Sequence, residues 1–162
     1  MTTGAGRRPT AARRAGLRHL PRGRTLHLVD IENLLGDPRA AGPAIAAAIE
    51  AYRSAMRVAP GDHVVIACNH GLAVDAGLAW PGARLRTGSG PDGADLALID
   101  DADPAYVAAH YDRVVIGSGD GIFTGLAADL RALGTAVCVV ARDGSLSRAL
   151  RSVAGVAIEL AA

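Results

Sequence analysis

Lysine is absent from this chain: all seventeen basic residues are arginine, a bias that fits the abundance of alanine and glycine and carries little functional weight. Aromatic residues make up only 3% of the sequence, which leaves few rings for stacking bases. The two cysteines, Cys68 and Cys138, each fall in an apolar strand-like run, so they read as small buried hydrophobes. They give no case for a disulfide or a zinc site, and they suit a reducing compartment. No apolar run approaches the ~20 residues of a membrane-spanning helix. The arginine-rich N-terminus also lacks the apolar stretch of a secretory signal. A soluble, cytoplasmic protein without a membrane partner is the expectation.

What is present is one good core and a divided charge. With 162 residues, half of them apolar, the chain is long enough for a single core and short for two. The net charge of +1 hides a split. Residues 1–24 hold seven Arg and no acid, giving +7, and the remainder holds ten Arg and sixteen acids, giving −6. A basic arm, residues 1–24, thus precedes an acidic body, residues 25–162. Such an arm either attracts nucleic-acid phosphates over long range or is simply a solvated, disordered leader.

Strand-like runs recur at Thr25–Val29, Asp62–Cys68, Ala83–Thr87, Arg113–Gly117, Ala136–Val140 and Val156–Leu160. Helix-like stretches separate most of them: Gly42–Met56, Gly93–Ile99 with a continuation over Pro104–Ala109, Phe123–Leu133 and Ser147–Ala154. Alternation of this kind predicts βαβ units and a mainly parallel sheet covered on both faces. Gly134 is placed to stop the helix ending at Leu133, and Pro60-Gly61 to turn the chain into the second strand. The glycine-rich stretch Gly88–Gly93 predicts a loop able to move.

Three acids stand out against this pattern. Asp30 and Asp120 directly follow apolar strands, and Asp95 opens a helix. In an open α/β sheet ligands bind beyond the carboxyl ends of the strands, so Asp30 and Asp120 share an edge that Asp95 can reach. Acids gathered there repel one another and favour a hard cation, Mg²⁺ or Mn²⁺, that can assist water in attacking a phosphodiester. Each acid also has a plain structural reading. Asp30 can cap a turn, Asp120 can cap the following helix, and Asp92 can N-cap the helix on which Asp95 is the third residue. Asn33 is suited to orient water, Asp30 or a phosphate, and the Ser118-Gly119 turn to present amides to a phosphate. His70 falls at the same edge but stays outside the catalytic set. His19, His27, His63 and His110 lack ligand-like spacing, and Asp100 and Asp101 are expected to face solvent.

Three segments in this order, Val29-Asp30-Ile31-Glu32-Asn33, Gly93-Ala94-Asp95-Leu96-Ala97-Leu98 and Val115 to Phe123, resemble the NYN family of PIN-like metal-dependent nucleases. The similarity spans roughly Thr25 to Leu160. It implies a three-layer α/β/α, Rossmann-like PIN fold, divalent-metal binding and RNA cleavage. Asp30, Asp95 and Asp120 match the acidic metal centre, and Asn33 matches the polar companion of the first acid. The departure is Ile122, which stands where the family often carries a second Asp.

The leading expectation is a divalent-metal-dependent ribonuclease. Asp30, Asn33, Asp95 and Asp120 would be catalytic, Ser118 and Gly119 would touch the substrate backbone, and single-stranded RNA would be the partner. A homo-oligomer is left open. The second reading, motivated by Ile122 and the scarcity of aromatics, is a weakened or inactive PIN-like module that binds RNA or a protein partner. A phosphatase-like enzyme with Asp30 as nucleophile is the third, disfavoured because no second Asp lies two positions after Asp30.

Overall fold

The computed structural model describes residues 23–161, so the arginine-rich arm lies outside the described residues apart from Gly23 and Arg24. Six strands form one wholly parallel sheet: β1 (Thr25–Asp30), β2 (His63–Asn69), β3 (Arg84–Gly88), β4 (Arg113–Gly117), β5 (Ala136–Arg142) and β6 (Val156–Leu160). The helices between them are α1 (Ile31–Leu35), α2 (Gly42–Met56), α3 (Ala73–Ala79), α4 (Gly93–Asp100), α5 (Pro104–His110), α6 (Thr124–Ala132) and α7 (Arg148–Val153).

Strand order across the sheet is β3-β2-β1-β4-β5-β6. The chain builds outward from β1 to β3, then crosses back and builds the other way from β4. That reversal falls between β1 and β4, where connections leave the strand ends in opposite directions and open a crevice. Register pairs Val29 with Gly117, so Asp30 and Ser118 emerge side by side at the carboxyl edge.

Side chains on a strand alternate between faces, and here the two faces feed two cores. Leu26, Leu28, Val114 and Ile116 join Leu98, Phe123 and Leu130 on the side of α4, α6 and α7. Val29, Ile66, Val115 and Cys138 join Ile45, Ile49, Tyr52 and Trp80 on the side of α2 and α3. Both cysteines are free and buried, and burial pushes the thiols of Cys68 and Cys138 up to about 11 and about 12.

All six expected strands are present, with ends moved by at most two residues. The Gly134 stop is also in place, with Thr135 N–H bonding back to the Leu130 carbonyl at 3.0 Å. Two helices lie outside the sequence-based expectation: α1 has only five residues, and α3 carries its large apolar side chains, Val74 and Leu78, in solvent, so it shows no inward apolar face. The expected continuation of α4 into α5 is instead a break. Asp103 caps a new helix by accepting from Tyr106 N–H at 2.7 Å, and Pro104 occupies its first turn.

Asp101, expected to face solvent, is instead held by two arginines, and His27 is buried. Asp101 accepts Arg86 Nε and a terminal nitrogen at 3.0 Å each, with Arg84 at 3.5 Å, and so clamps β3 to the end of α4. His27 is 1% exposed, with Nδ1 2.8 Å from Tyr52 Oη and Nε2 3.3 Å from Asp62. Burial lowers its pKa below the ordinary 6.5, outweighing the upward pull of Asp62.

Folded His27 therefore stays neutral at a pH where the unfolded chain already takes up a proton. Stability is expected to fall as pH drops below 6.5. In urea titrations across that range, His27→Gln should show a shallower pH slope than wild type. Equal slopes would contradict the assignment.

Candidate functional site

The crevice between β1 and β4 holds a cleft of about 380 Å³ lined by Asp30, Glu32, Asp92, Asp95 and Asp120, with Arg142 as its basic residue. A larger cavity, about 670 Å³, opens near the amino ends of β1 to β3 beside Trp80 and Tyr111. Its carboxylates, Asp62 and Asp101, are already engaged by His27 and by Arg84 and Arg86. In the smaller cleft the acids converge without an ion pair among the described residues.

Asp30 ends β1 and caps α1: one carboxylate oxygen accepts the amides of Glu32 at 3.1 Å and Asn33 at 3.3 Å. The buried hydroxyl of Ser118 donates to the other oxygen at 3.5 Å. Capping and site membership are thus compatible, because a carboxylate has lone pairs for both. Asp95, in the first turn of α4, is 7% exposed and lies close enough to Asp30 to raise its pKa. Its Oδ1 is buried with no hydrogen-bond partner among the described residues.

Asp120 follows β4 and caps a short 3₁₀ turn, Gly121–Phe123, accepting Ile122 N–H at 2.9 Å. Phe123 anchors that turn in the core at 0% exposure, and its truncation to Ala would cost about 3–5 kcal/mol. Ile122 packs partly buried against the same core. A carboxylate at that position would therefore begin among apolar neighbours.

Asp92 completes the group. It occupies the N-cap position of α4, but its side chain makes no capping bond, and its backbone sits at φ 58°, a left-handed conformation uncommon outside glycine. Asp92, Asp95 and Asp120 each present an oxygen within 4.8 Å of the other two. Sequence spacing had pointed to helix capping for Asp92, with Asp30, Asp95 and Asp120 as the metal set. The geometry adds Asp92 to the converging oxygens and places Asp30 against Asp95 in the cleft floor.

The support around these acids is closely built. Asn33 Oδ1 accepts Gly119 N–H at 2.8 Å, and Gly119 C=O accepts Ser147 N–H at 2.8 Å. A Cβ on Gly119 would lie 2.5 Å from the Ser145 carbonyl oxygen, so only glycine fits. The Ser118 hydroxyl also accepts Asp120 N–H at 3.2 Å. Ser118 and Gly119, expected to touch the substrate backbone, are both buried, and the groups they would offer already have partners in the protein. His70, in a short turn after β2, is exposed with Nε2 3.0 Å from Ser89 Oγ and does not line the cleft.

Electrostatics follow from this crowding. Burial, and then the nearby Asp95, push the Asp30 pKa from 3.8 to about 8. Asp95 is raised as well, chiefly by burial and further by the nearby charges of Asp120, Asp92 and Glu32. The donor set is all oxygen, with one buried atom unpartnered, and it fits a hard divalent cation better than a transition metal that prefers nitrogen or sulfur.

The NYN domain family model matches residues 28–161. No curated protein matches the chain. Among solved structures, a protein of unknown function from Vibrio parahaemolyticus is similar, with a TM-score of 0.57 and 18% sequence identity over 84% of this chain and 91% of that one. At that identity the likeness supports the fold alone.

Between pH 3.8 and about 8 the folded protein keeps a proton on Asp30 that the unfolded chain gives up, so stability without metal falls as pH rises through that window. With chelator at neutral pH, Asp30→Asn is expected to raise the melting temperature by about 3 °C or more, an advantage that vanishes near about pH 4. Equal melting temperatures at neutral pH would show that Asp30 is not held in this state.

Proposed function

Because the chain belongs to the NYN domain family, with its PIN-like nuclease fold, we propose that it is a divalent-metal-dependent ribonuclease. NYN domains generally act on RNA and generally depend on divalent metal. The single observation that carries the reading to this chain is the convergence of Asp92, Asp95 and Asp120, with the unpartnered Asp95 oxygen among them.

On this reading Asp95 and Asp120 hold Mg²⁺ or Mn²⁺, joined by Asp30 and by Asp92, which stands in for the acid missing at Ile122. When bound, such an ion supplies positive charge for a developing oxyanion and lowers the pKa of nearby water. Asp30 gives up its proton as the site loads, since a cation reverses the repulsion that keeps it protonated. Asn33 lines the cleft and positions water or phosphate, and it also holds the Gly119 turn. Ser118 and Gly119 serve by fixing Asp30 and Asp120. Single-stranded RNA is the substrate, residues 25–162 form the catalytic domain, and the arginine arm adds nonspecific affinity against an acidic body. With no helix among the described residues long and apolar enough to cross a membrane, a cytoplasmic location suits this role.

The second reading is a module that binds RNA without cutting it. The partly buried packing of Ile122 favours it, because one expected ligand is replaced by a core contact.

Labelled single-stranded RNA incubated with wild type and Asp120→Asn tests both readings. Wild type should cleave with Mn²⁺ or Mg²⁺ and not with chelator, and the variant should lose on the order of a hundredfold in rate. Equal cleavage by the two proteins, or cleavage indifferent to chelator, would reject the metal-nuclease reading. Retained RNA binding without cleavage would favour the second.

A further inference from the structure

We propose that Arg142 is a substrate-binding residue of the acidic cleft, its guanidinium receiving the non-bridging oxygens of a phosphate that lies over the cluster of acids. The proposal rests on the assignment of that cleft as a nuclease site and adds a residue that no motif in the sequence singles out.

Arg142 is the last residue of β5, so it emerges at the same carboxyl edge as Asp30 and Ser118. Its backbone is fixed: the Arg142 carbonyl accepts Ser145 N–H at 3.0 Å and Ser145 Oγ–H at 2.8 Å. Its side chain is seated by a close approach at Gly36, the residue that ends α1. There φ is +71°, and an added Cβ would lie 2.6 Å from Arg142 Nε and 2.8 Å from Cζ. Backbone at that position yields room for a guanidinium to lie directly against it.

Despite this seating, the charge is uncommitted. Among the described residues Arg142 makes no ion pair, although five carboxylates line the same cleft, and its buried Nε has no hydrogen-bond partner. A buried donor on a cation is costly when unpaired, and an arginine retained for stability alone would satisfy it on one of those acids. An arginine that faces acids without pairing with them leaves its fork of donors for an incoming anion. The planar fork matches two phosphate oxygens, and carboxylates already committed to a cation do not compete for it.

Calorimetry with 5′-AMP in the presence of Mn²⁺ tests the assignment in the full chain, using Arg142→Met and Arg142→Lys, with Mn²⁺ affinity measured alongside. Arg142→Met should bind 5′-AMP roughly tenfold more weakly than wild type or worse, with Arg142→Lys between them and Mn²⁺ affinity undiminished. Equal 5′-AMP affinity in wild type and Arg142→Met, including no binding by either, would overturn the proposal. So would a parallel fall in Mn²⁺ affinity, which would mark Arg142 as a structural support. RNA cleavage, measured separately, keeps the two claims apart. The predicted 5′-AMP order without cleavage by wild type leaves Arg142 standing and removes the nuclease reading. Metal-dependent cleavage with 5′-AMP binding unchanged in Arg142→Met does the reverse.

Discussion

Five carboxylates crowd a cleft that contains one arginine, and the sheet gives them little freedom to separate. Asp30 is fixed as the last residue of a buried parallel strand. Asp120 is held by the Gly121–Phe123 turn and its anchor in the core, and Asp95 by the first turn of a helix packed on β2 and β3. Charges held this way must be neutralised, either by a proton, as on Asp30, or by a cation. That requirement links the fold to the chemistry, because the strand order that opens the crevice between β1 and β4 is also what brings the acids together.

The second layer explains why the arrangement can persist without metal. Asn33 ties α1 to the turn after β4, Ser118 joins Asp30 to the backbone of Asp120, and the loop before α7 closes over Gly119. These bonds connect three segments far apart in sequence. They hold the ligands on rigid elements, which preserves a site that electrostatic repulsion alone would spread.

Much of this was legible in the sequence because the strands are continuous apolar runs with few competing readings. Strand-end acids followed directly from that pattern, as did the shared edge. Other features depend on contacts that spacing cannot reveal. Helix α1 has five residues, too few to show periodicity, and is set by the cap from Asp30. His27 becomes buried because Tyr52 and Asp62, distant in sequence, satisfy both ring nitrogens. Asp101 meets two arginines of β3 that no local motif connects to it. Asp92 looked like an N-cap and holds that position, but its left-handed backbone turns the side chain to the acid cluster rather than to the helix amides. Arg142 lies beyond the apolar run Ala136–Val140 that marks the strand in the sequence, and the Gly36 contact and the shared cleft single it out.

The central claim is that these acids form a binding site for a hard divalent cation. Anomalous diffraction at the manganese edge from a crystal grown with Mn²⁺ tests it most directly. The account predicts a peak in the cleft within ligand distance of Asp95 and Asp120 carboxylate oxygens. A crystal equilibrated with saturating Mn²⁺ that shows manganese only elsewhere on the surface, or none at all, would contradict it.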